Sequence, residues 1–338
     1  MNATPLLQYL VAGQLNRSFI LMPGKKPRLD TLGGNLVYGA SGLGLWESGI
    51  GLIGRVGNDF PQDWLDQISR KGVDRRGIHV LPQTIDLRLF TAYLDMDTVQ
   101  MDNPLVVFNK LGVPFPKSLL DYSYASPDID SRSRFSSLTL RLSDIPSDYL
   151  DATAAHLCPL DFLSHSLLPS VLRQGHITTI TLDPSKGYMN PAFWDDMPAL
   201  LNGITAFLTS EDKIRSLFQG RASDLWEMAE ALSAFSCEII VIKRGERGQY
   251  LYDSASHSRW DIPAYPSNLI DPMGAGDAFC GGFLAGYRQS YDPLSAALHG
   301  NISASITVEG TDPFYALDAL KGLAEARLQV LRDRVRRV

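Results

Sequence analysis

The stretch DPMGAGDAF at residues 271–279 carries the strongest functional signal in the sequence. Three small residues come first: Gly274, Ala275 and Gly276. The carboxylate of Asp277 follows directly, and apolar residues at helical spacing come after it. A flexible turn leading into a helix presents unpaired backbone N–H groups, with the positive end of the helix dipole behind them. We therefore predict an anion site in this turn, beside a carboxylate that can take a proton from a hydroxyl, as in phosphoryl transfer to an alcohol.

A simpler interpretation of the same motif has to be weighed against this one. Glycine-rich turns before helices are common and most bind nothing, and an Asp in the first helical turn is often only a capping residue. The GAGD motif alone favours this simpler interpretation, so the rest of the chain has to decide between the two.

Length and composition are those of an ordinary globular protein. The chain has 338 residues, 45% of them hydrophobic and 20% charged, and we expect one large α/β domain over 1–338 with a small appendage. A net charge of −6 gives no support for a nucleic-acid partner, and the apolar run near the N-terminus is too short to cross a membrane. The cysteines are far apart and form no CxxC pair, which favours free thiols in a reducing cytoplasm; they are Cys158, Cys237 and Cys280.

Predicted strands and helices alternate along most of the chain, which indicates a parallel sheet covered on both faces, with ligands at the carboxyl ends of the strands. The predicted strands lie at 8–15, 51–57, 78–81, 87–95, 154–160, 177–185, 206–210, 238–245, 248–253 and 257–262, with a hairpin continuing through 104–108. The predicted helices lie at about 33–48, from 61 onward, and at 163–174, 191–202, 211–218, 223–235, 275–290, 292–308 and 314–335. Residues 111–148 show no period and are predicted to be a long irregular insertion.

Several segments together resemble the PfkB family of carbohydrate kinases, which has the ribokinase-like fold. DPMGAGDAF is similar to the C-terminal signature of that family, and IIVIKRGERG at 239–248 is similar to the segment that precedes the nucleotide site. Gly33-Gly34, followed by GLIGRVGNDF at 51–60, resembles the N-terminal signature. The helix around Asn301, ending at Glu309-Gly310, resembles the segment that closes over the base. The resemblance spans nearly the whole chain except about 111–148.

The resemblance implies a fold, a reaction and cofactors. The fold is a three-layer α/β/α domain with a mostly parallel central sheet and a small β-sheet lid, built from about 14–32 and 85–110, over the acceptor. The cofactors are ATP and Mg²⁺, with the γ-phosphate at Gly274–Asp277 and Asp277 as the general base. The resemblance also implies residues that border the nucleotide: Ser210, Lys243, Gly245, Gly248 and, near the adenine, Asn301.

The residues expected to bind the acceptor differ from those that the sugar-kinase pattern has at the same positions. The segment GQLNRSF has Asn16, but Ser18 stands where such enzymes commonly have an Asp that binds sugar hydroxyls. Tyr38 stands where an Asn often follows the GG motif, while Asn35 directly follows Gly34. A carboxylate accepts two hydroxyl bonds, which a serine cannot replace, and an aromatic side chain either favours stacking or fills the pocket. These residues are the predicted acceptor site, but they do not support a choice of ribose or fructose.

The residues expected to bind Mg²⁺ also differ from the family pattern. The family's NxxE motif, which tunes magnesium and phosphate binding, falls on SEDK at 210–213, with Lys213 in place of the Glu. Glu211 or Asp212 is a shifted candidate, and Asp183, at the end of its strand, is a second candidate for holding Mg²⁺ through water. For each carboxylate the alternative is a solvated residue at a helix start. Dependence on a monovalent cation is left open, because 271–273 occupies the region where some members hold potassium.

We predict a Mg-ATP-dependent kinase that phosphorylates a hydroxyl of a small alcohol of the sugar or nucleoside class. A second hypothesis, motivated by Ser18, Tyr38 and Lys213, is a catalytically weak nucleotide- or sugar-binding sensor or partner protein of the same fold. A third, a dinucleotide oxidoreductase, rests only on GIGLIG at 49–54, which lies in a predicted strand rather than opening a helix. A homodimer through lid edge strands is left open, and the acceptor is not named by the sequence.

Overall fold

Two sheets organise the computed structural model, which describes residues 7–94, 99–124 and 130–338. In chain order the strands are β1 (Tyr9–Ala12), β2 (Asn16–Leu21), β3 (Arg28–Gly33), β4 (Ile50–Gly57), β5 (Asp74–Leu81), β6 (Arg88–Tyr93), β7 (Val99–Gln100), β8 (Ala154–Leu157), β9 (Thr179–Leu182), β10 (Ala206–Ser210), β11 (Ile239–Lys243), β12 (Gln249–Asp253), β13 (Ser258–Ile262) and β14 (Arg336–Arg337). The central sheet has ten strands in the order β14-β13-β12-β11-β10-β9-β8-β1-β4-β5. Its strands from β11 to β5 are parallel, and β12, β13 and β14 extend it antiparallel.

Helices cover both faces of the central sheet. They are α1 (Asn35–Gly44), α2 (Gln62–Arg70), α3 (Pro104–Leu111), α4 (Phe162–Leu172), α5 (Met197–Leu201), α6 (Glu211–Leu217), α7 (Leu225–Ser233), α8 (Ala275–Ser290), α9 (Pro293–Thr307) and α10 (Lys321–Arg332). Because side chains alternate along a strand, Val241 of β11 packs in the core under α1, α8 and α9, while Ile240 and Ile242 pack in the core under α4 to α7. The predicted three-layer α/β/α architecture is confirmed.

The second sheet has four strands in the order β3-β2-β6-β7 and its own small core. Phe19 of β2 and Phe90 of β6 pack there against Phe108 of α3. The sheet joins the central domain directly, since β3 ends at Gly33 and α1 begins two residues later with Gly34 as its N-cap. The predicted small separate sheet is therefore present.

Two predicted elements are wrong. The hairpin expected to continue through 104–108 is the helix α3, because Pro104 suits a first helical turn and Val107 and Phe108 then face the small core together. The helix predicted over 314–335 begins only at Lys321; before it, the chain turns, and the N–H of Leu317 is bound by the Ser41 hydroxyl at 3.0 Å. The apolar spacing that predicted one long helix over 314–335 includes buried residues of this turn as well as residues of α10.

The described parts of 111–148 contain short 3₁₀ segments, at Lys117–Leu119 and Leu142–Asp144, and the C-terminal part is packed into the domain. Asp144, whose side chain is fully buried, accepts two hydrogen bonds from Arg55 of β4, at 2.8 and 2.9 Å. The same guanidinium donates to the carbonyl of Ser137 at 3.1 Å. This ion pair therefore anchors the irregular segment to the central sheet. None of the helices among the described residues combines the length and the apolar character that a membrane span requires.

We expect Asp144→Ala to lower the free energy of unfolding by about 3–5 kcal/mol, because the guanidinium of Arg55 would remain buried without its counter-ion. Urea unfolding followed by circular dichroism measures this loss. The control is Asp148→Ala, which removes an exposed partner of Arg76 from the same segment and should cost at most about 1 kcal/mol. Equal losses in the two variants would contradict the anchoring role.

Candidate active site

The candidate site lies where three neighbouring parallel strands end. Asp183 follows β9, Ser210 ends β10 and Lys243 ends β11, with Ser210 and Lys243 paired in register. The N-termini of α6 and α8 reach the same edge, since Lys213 of α6 and Gly276 of α8 both contact this group of residues. The sheet edge predicted to bind ligands is therefore the place where Ser210 and Lys243, two of the predicted nucleotide residues, meet the start of α8.

The 274–277 turn has the form that an anion site requires. Gly274 has a φ of 76°, and a Cβ there would lie 2.1 Å from the ring of Tyr38, so only glycine fits. The N–H of Ala278 donates to the carbonyl of Gly274 at 2.9 Å and starts the regular helical bonding of α8. Among the described residues, no protein acceptor receives the N–H groups of Gly276 and Asp277. These two donors are available to a ligand at the positive end of a helix of 16 residues.

Asp277 is partly buried at the start of α8, and its environment suits a general base. Burial, followed by the repulsion of the nearby Asp183 carboxylate, raises the pKa of Asp277 to about 6. Lys243 and Lys213 act against this rise. A carboxylate with this pKa is mostly ionised at neutral pH, yet it is a stronger base than an exposed Asp.

A buried cluster of three charges lies beside this turn. The side chain of Asp183 is 3% exposed, and its two oxygens accept from Lys213 Nζ at 2.8 Å and from Lys243 Nζ at 2.5 Å. Burial alone would raise the pKa of Asp183, but the two ammonium groups lower it to about 2. Lys243 Nζ also lies 3.3 Å from the carbonyl of Gly276 and 3.2 Å from the sulfur of Cys280. With one carboxylate and two ammonium groups, the cluster carries a net positive charge and ties β9, β11, α6 and α8 together.

The carboxylates predicted to hold Mg²⁺ are both paired with cations. The oxygens of Asp183 are occupied by the two lysines, and those of Glu211 accept from Arg215 at 2.8 Å and from Arg247 at 2.6 Å. Burial would raise the pKa of Glu211, but the two arginines hold it below its usual range. Among the described residues, no three metal-ligating side chains gather into a cluster. The residues present therefore do not form a resident metal site, and the predicted metal roles stay untested.

The other predicted nucleotide residues support the chain around the site. Gly245 and Gly248 both have positive φ, 61° and 82°, and form the turn between β11 and β12. Asn301 is 4% exposed, and its amide nitrogen donates to Gln249 Oε1 at 3.0 Å and to the carbonyl of Pro263 at 2.9 Å. Its oxygen accepts from the N–H of Tyr265 at 2.9 Å. Both ends of this amide are thus used to hold the segment 263–265, and the predicted position near adenine stays a prediction.

The predicted acceptor residues gather at the junction of the small sheet and α1. Asn16 starts β2, and the buried Ser18 packs against Gly33. The oxygen of Asn35 accepts from the N–H of Gln14 at 2.7 Å, and its nitrogen donates to the carbonyl of Pro159 at 2.8 Å.

These bonds give Asn35 a structural role, since they connect the segment after β1 to the segment after β8. Tyr38 is 4% exposed and lies against Gly274, so its ring fills space beside the turn and supports it. Gly34 has a φ of 112°, which places it among the positions that favour glycine.

The sequence did not predict that Lys213 and Lys243 share Asp183. The signal was present, because Lys213 stood where an acidic residue was expected. An Asp at the end of one strand and a Lys at the end of a parallel strand are brought to the same edge of the sheet. The mutual pairing of these residues depends on the strand order, which the sequence does not give.

The sheet topology, the separate small sheet and the helix N-terminus at the strand ends define a ribokinase-like fold. Comparison with known proteins agrees. A candidate ribokinase II from E. coli, solved in complex with ATP and Mg²⁺, superposes with a TM-score of 0.70 at 18% identity, covering 96% of this chain and 100% of that one.

Residues 162–318 match the model of the pfkB family carbohydrate kinase. The chain is 26% identical to a cytidine kinase of Thermococcus kodakarensis, covering 84% of this chain and 90% of the relative. It is 24% identical to a 5-dehydro-2-deoxygluconokinase of Clostridium botulinum, with coverages of 82% and 78%. The predicted resemblance to the PfkB family is confirmed over residues 162–318, and the kinase names of the relatives support the predicted enzyme class.

The lysines of the charge cluster should limit the rise in the pKa of Asp277 that burial causes, because Lys243 and Lys213 both lower it. We expect Lys213→Gln to raise this pKa by roughly one pH unit, since a positive charge is lost and Asp183 is less completely neutralised. Carbon-13 NMR titration of the aspartate carboxyl groups measures it.

The control variant is Lys186→Gln, which removes a largely exposed lysine that pairs with Asp212 and should leave the titration of Asp277 unchanged. A titration of Asp277 that is the same in wild-type protein and in Lys213→Gln would contradict the electrostatic coupling.

Proposed function

We propose that this kinase transfers the γ-phosphate of ATP to a hydroxyl of a nucleoside or sugar, with Asp277 as the general base and the 274–277 turn as the anion hole. One observation carries the proposal above all others. The N–H groups of Gly276 and Asp277 have no acceptor among the described residues, and they stand beside a carboxylate whose pKa is raised to about 6. Hydrogen-bond donors for a phosphoryl oxygen therefore lie beside a general base for the hydroxyl proton, and both are at the N-terminus of α8.

The reaction balances with these groups. The acceptor oxygen forms a bond to the γ-phosphorus, the bond from this phosphorus to the β–γ bridging oxygen breaks, and ADP leaves. The hydroxyl proton passes to Asp277. The two free N–H groups stabilise the charge on the transferring oxygens, and the net positive charge of the Asp183, Lys213 and Lys243 cluster favours polyphosphate at the same edge.

ATP with Mg²⁺ is the proposed donor, which the family and the ATP-Mg²⁺ complex of the E. coli neighbour support. Because Asp183 and Glu211 are already paired with cations, we infer that the ion enters with the nucleotide rather than residing on these side chains. When bound, it would neutralise charge on the donor phosphates. Ser210, Gly245, Gly248 and the segment held by Asn301 are proposed to border the nucleotide.

The proposed acceptor is a small alcohol of the nucleoside or sugar class, next to Asn16, Ser18, Gly34, Asn35 and Tyr38. The cytidine kinase supports the nucleoside class, and the 5-dehydro-2-deoxygluconokinase supports the sugar class. A homodimer through the small sheet also stays part of the proposal. So does a cytoplasmic setting, which the three buried free cysteines support.

The alternative function is a catalytically weak sensor of the same fold, and the cation pairing of both candidate metal ligands favours it. A panel of nucleosides and sugars with ATP and Mg²⁺ separates the two functions. Production of ADP that depends on one acceptor supports the kinase. Nucleotide and acceptor binding with no turnover over the whole panel supports the sensor.

We expect Asp277→Asn to lower kcat by roughly 10²–10⁴ with a modest change in KM, because the amide cannot accept the hydroxyl proton. In wild-type protein the base must be ionised, so kcat/KM should rise with pH through about 6 and then level off. The Asp277→Asn variant should not show this rise of kcat/KM with pH. Steady-state kinetics between pH 5 and pH 8 measure both effects.

The control for this prediction is Asp292→Asn, which alters another carboxylate at a helix start, the N-cap of α9. This variant should keep the kcat and the pH profile of the wild-type protein. Near-normal turnover in Asp277→Asn would show that Asp277 is not the base.

A further inference from the structure

Arg28, the first residue of β3, connects the small sheet to the segment before the 274–277 turn, called the anion turn below, and to the segment after α9. Its guanidinium donates through Nη2 to Oδ2 of Asp271 and through Nη1 to the carbonyl oxygen of Thr311. Asp271 lies three residues before Gly274. Thr311 lies in the segment between α9 and α10. One side chain of the small sheet is thus bonded to two separate segments of the central domain.

Asp271 connects Arg28 to the backbone just before the 274–277 turn. Its side chain is 2% exposed, and its second oxygen accepts from the N–H of Met273 at 3.0 Å. The N–H groups of Ile270 and Asp271 both donate to the carbonyl of Val308, at 2.7 and 3.0 Å. The carboxylate therefore fixes the backbone immediately before Gly274, and Arg28 holds that carboxylate in place.

The buried carboxylate needs a counter-charge, and the small sheet supplies it. The phenol groups of Tyr38 and Tyr93 lie close to the pair, and their pKa values are raised first by burial and then by the Asp271 carboxylate. They stay neutral and cannot compensate the charge. Lys25 is exposed, so its charge is screened by solvent. Among the described residues, Arg28 is the cation that is both close to Asp271 and largely shielded, with 18% of its side chain exposed.

We propose that Arg28 is a positioning residue: a cation carried by the small sheet that holds the 271–274 segment, and through it the anion turn, without a dissolved monovalent cation. The inference rests on the proposed function of this turn. A guanidinium suits the task because its planar fork can reach two acceptors at once and is weakly hydrated. Movement of the small sheet away from the central domain would withdraw this cation, so sheet position and turn geometry are coupled.

The test compares wild-type protein with Arg28→Ala in buffers whose only monovalent cation is choline. Without the guanidinium, Asp271 is buried and uncompensated, and the turn loses its support. We expect kcat/KM to fall on the order of 10²-fold, which is typical of a displaced catalytic geometry. Millimolar methylguanidinium, or potassium, should restore most of the loss by occupying the gap between Asp271 and Thr311. Wild-type activity should be the same in choline and in potassium.

Two further variants make the test specific. Arg28→Lys keeps the charge but cannot bridge both acceptors with a fork, so its activity should lie between those of the wild type and Arg28→Ala. Lys26→Ala removes an exposed charge from the same hairpin and should match the wild type in every buffer. Arg28→Ala with wild-type activity in choline, or with a loss that no cation restores, would overturn the proposal.

A binding measurement keeps this test separate from that of the proposed function. Calorimetric titration with a non-hydrolysable ATP analogue in choline should show weak binding to Arg28→Ala and tighter binding after methylguanidinium is added. This result supports the positioning role even if no acceptor is phosphorylated. Equal affinity of the wild type and Arg28→Ala in choline would overturn the role, whatever the activity of the wild-type protein.

Discussion

The start of α8 has to satisfy two requirements that oppose each other. The N–H groups of Gly276 and Asp277 must stay free of protein acceptors, yet the turn that carries them must be fixed. Gly274 meets the first requirement through its left-handed conformation, and the ring of Tyr38 lies where any Cβ on this residue would be. Support comes from outside the turn, because Lys243 reaches the carbonyl of Gly276 and the Asp271 carboxylate holds the backbone before it. An unpaired helix start is thereby kept in position by its neighbours.

The same supports set the electrostatics of the site. Asp183 holds two lysines in place by ion pairing, and these three side chains together carry a net positive charge at the carboxyl ends of the strands. The two lysines also limit the rise in the pKa of Asp277. The positive charges near the 274–277 turn therefore come from two places. Lys213 and Lys243 belong to the charge cluster, and Arg28 belongs to the small sheet. At position 213, where the family pattern has an acid, the lysine of this chain pairs with Asp183.

Much of the fold could be predicted from local patterns. The apolar run at 239–243 and the GAGD motif each determine their own element, so β11 and α8 agree with the predictions. Residues 104–108 were predicted to continue a hairpin but lie in the helix at 104–111, because a short apolar run does not distinguish a strand from a helix and only packing against the small core does. The pairing of Arg28 with Asp271, 243 residues apart, has no local signal at all. Residues 95–98 of the predicted strand and lid and 125–129 of the predicted insertion lie outside the described residues.

Binding of the transferring phosphoryl group to the free amides of the turn is the proposal on which the proposed reaction depends. The most direct measurement is amide NMR of the deuterated protein on addition of ADP, Mg²⁺ and aluminium fluoride, which mimics that group. We expect the N–H signals of Gly276 and Asp277 to shift strongly downfield, because each forms a new charge-assisted hydrogen bond. Unchanged signals for these two residues, with large shifts elsewhere in the chain, would contradict it.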